Sequence, residues 1–123
     1  MPRKKSLSPQ FLYDEVLGAL IRYKRDQAGI TQRELSERLH MSQATLSRVE
    51  CGQYSCRITE LRRVARALDT YAYKLLAETD ELCARIEILV KGAGVHDDKG
   101  TGWFAGSEAA RGLVAVVMSR KKK

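Results

Sequence analysis

No long apolar run occurs in this sequence of 123 residues. The longest, Leu113 to Met118, covers six, whereas a membrane-spanning helix needs about 20. Nor does an apolar stretch of signal-peptide length follow the basic N-terminus, which argues against secretion. Cysteine is sparse: three thiols cannot all pair, and the chain is no disulfide scaffold. A Gly-rich phosphate loop, a Ser/His/Asp set and paired carboxylates on a pocket-forming scaffold are all missing, so no enzymatic class has support. Cys51 and Cys56 are spaced C-x4-C, but with Cys83, His40 and His96 they make only a loose zinc pattern. No metal and no other cofactor is expected. Internal repeats are absent too. What is present is a globular balance of 44% hydrophobic and 30% charged residues, enough for one domain. A soluble protein of a reducing, cytoplasmic compartment is the expectation, with no membrane partner.

The charge is unevenly placed. Net charge is +7. Arg3, Lys4 and Lys5 open the chain, and Arg120 to Lys123 close it. These seven leave 15 basic residues against 15 acidic ones, so the excess equals the two tails. Within the body, Arg22 to Arg66 is net +5 and Ala67 to Ser119 is net −3. A basic first half with basic arms suits a polyanion, most simply nucleic acid in the nucleoid.

The hydrophobic periodicity is helical. After a basic arm at 1–8, Ser8-Pro9 is a helix start, and Leu12, Val16 and Leu20 form one apolar face until Gly29. Thr31 with Glu34 makes a capping box for a helix over Gln32 to Leu39. After His40-Met41-Ser42, a third helix covers Gln43 to Cys51, and a fourth covers Arg57 to Leu68. A fifth spans Tyr71 to Val90, with Leu75, Leu82, Ile86 and Leu89 on one side. That side suits either a helix packing on its own domain or a dimerisation helix, and because four helices already make a small core, 71–91 is expected to be the latter. Residues 92–123 comprise a glycine-rich loop and then either a short helix or a valine-rich strand, Leu113 to Met118. Trp103-Phe104 in that loop suits either a satellite core or a contact for a second subunit, another protein or an effector.

Two short helices across a three-residue break make a helix-turn-helix pattern. On a helical wheel Leu46 and Val49 point inward, and Ala44, Ser47, Arg48 and Cys51 point outward. Gln43 flanks them at the exposed N-terminus. Such a surface suits a major groove. Cys51, beside it and near Arg48, has a redox-sensing thiol as an alternative reading.

The string "LIRYKRDQAGITQRELSERLHMSQATLSRVECGQ", followed by "ITELRRVARAL", closely resembles the Cro and lambda-repressor family of bacterial and phage DNA-binding domains. The resemblance covers residues 16–76. It implies a mainly α, five-helix lambda-repressor-like domain over 9–70, here with a short C-terminal extension, binding double-stranded DNA. It further implies that Gln32 contacts a phosphate, that Gln43, Ala44 and Arg48 face base edges, and that Ser42, Thr45 and Ser47 are placed for backbone or base contacts. Arg25 and Glu50 would pair as a structural bridge. The chain departs from the family at His40, where glycine is usual in the turn, at Ser36 for alanine, and at Cys51 and Cys56. The expected function is transcriptional repression by a homodimer on a palindromic operator. The alternative is an antitoxin-like autoregulator whose C-terminal half binds a partner protein.

Overall fold

The computed structural model describes the backbone of residues 9–92 and 107–121 and the side chains of 13–86 and 111–119. Within them run six helices: α1 Pro9–Gln27, α2 Gln32–Leu39, α3 Gln43–Glu50, α4 Ile58–Ala67, α5 Ala72–Gly92 and α6 Ser107–Lys121. No strand occurs among the described residues.

Local chemistry sets the ends of the short helices. Thr31 Oγ1 accepts the Glu34 N–H at 3.0 Å, and Glu34 Oε1 accepts the Thr31 N–H at 2.8 Å. Two orphan amides of α2 are thereby satisfied. The same bonds hold the Glu34 carboxyl below its usual range. His40 closes α2 in the left-handed region, at φ 56°. Ser42 Oγ caps α3 by accepting the Thr45 N–H at 3.0 Å. At α4, Glu60 Oε1 accepts the Arg57 N–H at 2.8 Å, and Tyr54 donates its hydroxyl to the same carboxylate.

One core runs through the described residues, from Val16, Leu20 and Ile21 on α1 to Val114 and Val117 on α6. Leu35 and Leu39 of α2 meet Leu46 and Val49 of α3 in it, and Leu61 and Val64 close it from α4. The helix pairing rests on one close approach. A Cβ at Gly18 would run into the Val49 carbonyl oxygen, and it would stand 2.8 Å from that of Glu50. The end of α3 therefore lies against the α1 backbone itself.

The face of α5 expected to join two subunits is used inside the chain. Leu75, Leu82 and Ile86 are all buried, at 0%, 2% and 0% exposure. α1 and α6 pack on α5 and supply the apolar surface that a second copy was expected to bring. The side chain of Leu89 lies outside the described residues, as do the arm at 1–8 and the loop with Trp103-Phe104. The Leu113 to Met118 run is helical and carries Val114 and Val117 into the core. The five expected helices are present as α1 to α5, and the C-terminal extension adds α6, which shares the core with α1 and α5. α3 ends at Glu50 rather than Cys51, and α4 runs one residue shorter than expected at each end.

Candidate nucleic-acid interface

Helix α3 presents two faces. Leu46, Val49 and Glu50 are buried. Gln43, Ala44 and Arg48 are exposed, and Thr45 and Ser47 are half-buried at the margins. No ion pair holds Arg48 among the described residues. Ser42 is exposed, but its hydroxyl donates to Thr45 Oγ1 at 2.9 Å while accepting the Thr45 N–H. Its single proton is therefore spent within α3, which leaves Ser42 a capping residue in this arrangement.

Behind that face lies a connected polar network. Arg25 on α1 donates from Nε to Glu50 Oε2 at 2.7 Å and from Nη2 to Glu50 Oε1 at 3.1 Å. Its Nη1 donates to the Ile30 carbonyl at 3.0 Å. The hydrogen bond to Glu50 holds the Arg25 guanidinium protonated more firmly than usual, against the opposing effect of burial. Glu50 Oε1 also accepts from Gln32 Nε2 at 3.1 Å. Gln32 Oε1 in turn accepts from Gln43 Nε2 at 3.3 Å. The N-termini of α2 and α3 thus stand side by side, with two glutamine amides oriented by a buried ion pair. Each amide nitrogen keeps one further proton, and Gln43 keeps its carbonyl oxygen. Such a pair can meet a phosphate and a base edge together.

Sequence reasoning treated Gln32 and the Arg25–Glu50 pair as separate; the structure joins them. It also overlooked Gly18, which lets α3 approach α1. The available signal was an isolated glycine between Leu17 and Ala19 on the buried side of a helix.

Cys51, read as outward-facing, is the C-cap of α3 and half-buried, as are Cys56 and Cys83. All three are free thiols. Burial, followed by the charges of Glu60 and Asp14, pushes the Cys56 thiol up to about 11. At neutral pH it is protonated, a poor ligand and nucleophile. Among the described residues no three His, Cys, Asp or Glu side chains gather as a metal site. No described helix is long and apolar enough to cross a membrane.

Comparison with known proteins converges on this region. Residues 21–75 match the helix-turn-helix family model. Over 49 residues the chain is 43% identical to an HTH-type transcriptional regulator of Methanothermobacter thermautotrophicus, covering 40% of this chain and 71% of that protein. Among solved structures it is similar to the clp gene regulator ClgR of Corynebacterium glutamicum. One structure of that regulator superposes with a TM-score of 0.57 at 33% identity, covering 64% of this chain and 87% of the other. A second gives 0.53 at 33% identity, over 56% and 90%.

Proposed function

The chain belongs to the helix-turn-helix family of transcriptional regulators, and from that premise we propose that it represses transcription as a homodimer on a palindromic operator. The observation that carries the reading is the Arg25–Glu50–Gln32–Gln43 network, which orients the amides beside an exposed α3 surface. Gln43 can bond adenine at N6 and N7, and Arg48 can bond guanine at O6 and N7. Ala44 is short and lets α3 approach the bases closely. Gln32, with one amide proton left, supplies a phosphate contact; Thr45 and Ser47 line the edge of the same surface.

Dimerisation has a physical rationale in operator length, because two recognition helices about 34–36 Å apart read successive major grooves. With Leu75, Leu82 and Ile86 buried inside the chain, the exposed apolar side chains left for a second copy include Ile58, Tyr71, Tyr73 and Leu76. Tyr71 and Tyr73 stack with ring centroids 5.8 Å apart.

The test is an operator selected from random duplex DNA, followed by a panel of its single-base variants at one salt concentration. Arg48→Ala should cost about 1–3 kcal/mol on the selected sequence and relax preference at one position per half-site. Equal weakening on every variant would make Arg48 a phosphate ligand instead. A selected site without two-fold symmetry, together with a monomer in sedimentation, would remove the homodimer. A protein partner that co-purifies stoichiometrically would favour the antitoxin-like reading.

A further inference from the structure

Between α1 and α6 lies an open pocket of about 450 Å³, within the span of about 300–1,000 Å³ common for small-ligand sites. Its walls at Ala19, Gly112 and Ala115 are small and apolar. Around them stand Arg22 and Tyr23 from one helix and Arg111 from the other, with Asp26 at the edge. Two guanidinium groups against one carboxylate leave a single positive charge. Arg22 Nε reaches Asp26 Oδ2 only at 3.9 Å, and Arg111 has no ion-pair partner among the described residues. Guanidinium groups of this kind favour a planar carboxylate, which they can bind with two parallel hydrogen bonds. The small walls and the Tyr23 ring suit a flat apolar body behind that carboxylate.

The pocket also touches the network behind α3. Asp26, whose Oδ2 faces Arg22, places Oδ1 3.6 Å from Arg25 Nη1. Arg25 is the residue that holds Glu50, and through it Gln32 and Gln43. A carboxylate that draws Arg22 away leaves Asp26 to compete with Glu50 for Arg25.

We propose that this pocket binds a small aromatic monocarboxylate, and that its occupancy weakens operator binding by loosening Arg25 from Glu50. The regulatory half rests on the DNA-binding reading above; the pocket itself does not.

The experiment uses the full chain and benzoate, with benzamide and inorganic phosphate as controls. Backbone amide spectra without DNA should show saturable shifts at residues 19–26 and 111–115, with smaller ones along the network at Gln32, Gln43 and Glu50. Benzamide should bind at least about tenfold more weakly, as should benzoate on Arg111→Gln, since each removes a charge-assisted pair. Gly112→Leu gives a blocked pocket in a folded chain, because a Cβ there meets no atom within 4 Å and leucine favours helix over glycine. It should abolish the shifts. No saturable shifts, equal binding of benzamide, equal shifts with phosphate, or binding that survives Gly112→Leu would each overturn the site. At constant ionic strength, saturating benzoate should lower operator affinity about fivefold or more, and operator DNA should lower benzoate affinity by the same factor. Binding of benzoate with operator affinity unchanged would overturn the coupling. A chain that selects no operator even without benzoate would instead refute the DNA-binding reading and leave the pocket result standing.

Discussion

Arg25 and Glu50 meet across α1 and α3 with side chains only 10% and 3% exposed. At that depth the pair is asymmetric in its consequences. Removing one partner strands a buried charge and costs about 3–5 kcal/mol, whereas removing both costs much less. Arg25→Met should therefore shift urea denaturation strongly, and the double change Arg25→Met with Glu50→Leu should recover most of the loss. Operator binding should not recover with it, because Gln32 then lacks the carboxylate that aims its amide. Recovery of both would separate the bridge from DNA recognition. Glu15 makes a different case. Among the described residues its Oε1 is buried without a hydrogen-bond partner, and burial raises its pKa above the ordinary glutamate value. A raised carboxylate favours the folded state only where it is protonated, so stability falls as pH climbs through the folded pKa. Glu15→Gln should raise the Tm at neutral pH, and the gain should fade as pH falls through the raised folded pKa and be gone below the ordinary glutamate value of about 4.3. A gain that persists at pH 3 would show that charge is not its cause. Neither Glu15 nor its missing partner was visible in the sequence, because an acidic residue on a helix is ordinarily solvated.

Short helices gain their definition here from caps, long ones from packing. α2 was legible to the residue because Thr31 and Glu34 satisfy its first amides locally, whatever lies beyond. α6 was not, since a run such as Leu113 to Met118 suits a strand as well as a buried helix turn. The glycine in α1 shows how packing overrides propensity. In an open helix Gly18→Ala would stabilise by about 0.5–1 kcal/mol. Here the added methyl meets the carbonyls of Val49 and Glu50. We expect Gly18→Ala to lower the Tm and to weaken operator binding more than its loss of stability explains, because α3 is pushed off α1 with its exposed face. Unchanged affinity at a lower Tm would show that α3 keeps its angle. His40 holds φ 56° where an L-residue is strained by roughly 1–2 kcal/mol. His40→Gly should return part of that, less the greater entropy of glycine in the unfolded chain.

Across the whole molecule, α6 is the element most at odds with a division into a DNA-binding domain and an appended tail. Val114 and Val117 are 1% and 3% exposed in the same core as Leu20 and Ile86. Burial of each valine is worth about 1.5–3 kcal/mol before the cost of ordering the helix. A chain ending at residue 92 should therefore melt at a lower temperature, bind a hydrophobic dye and show greater exchange of amides in α1. A truncated chain with an unchanged Tm would restore the picture of a self-sufficient domain over 9–70.

The sequence by itself determined the helical class, the helix-turn-helix break, and, of the outward set Ala44, Ser47, Arg48 and Cys51 flanked by Gln43, the exposure of Gln43, Ala44 and Arg48, whereas Ser47 and Cys51 are half-buried. These follow from 3.6-residue periodicity and from caps that close within four residues. It also determined that Leu75, Leu82 and Ile86 share a buried side. What buries them it left open, because an apolar stripe is equally satisfied by a second copy or by a distant segment of the same chain. Only the tertiary structure decided that α1 and α6 cover it. The same holds for the contact between Gly18 and the end of α3, for the junction of Gln32 with Glu50 and Gln43, and for the arginine-lined pocket between α1 and α6. Each depends on groups brought together from 11 to about 90 positions apart in sequence. Burial and hydrogen-bond geometry at that range are settled by packing, and no local pattern encodes them.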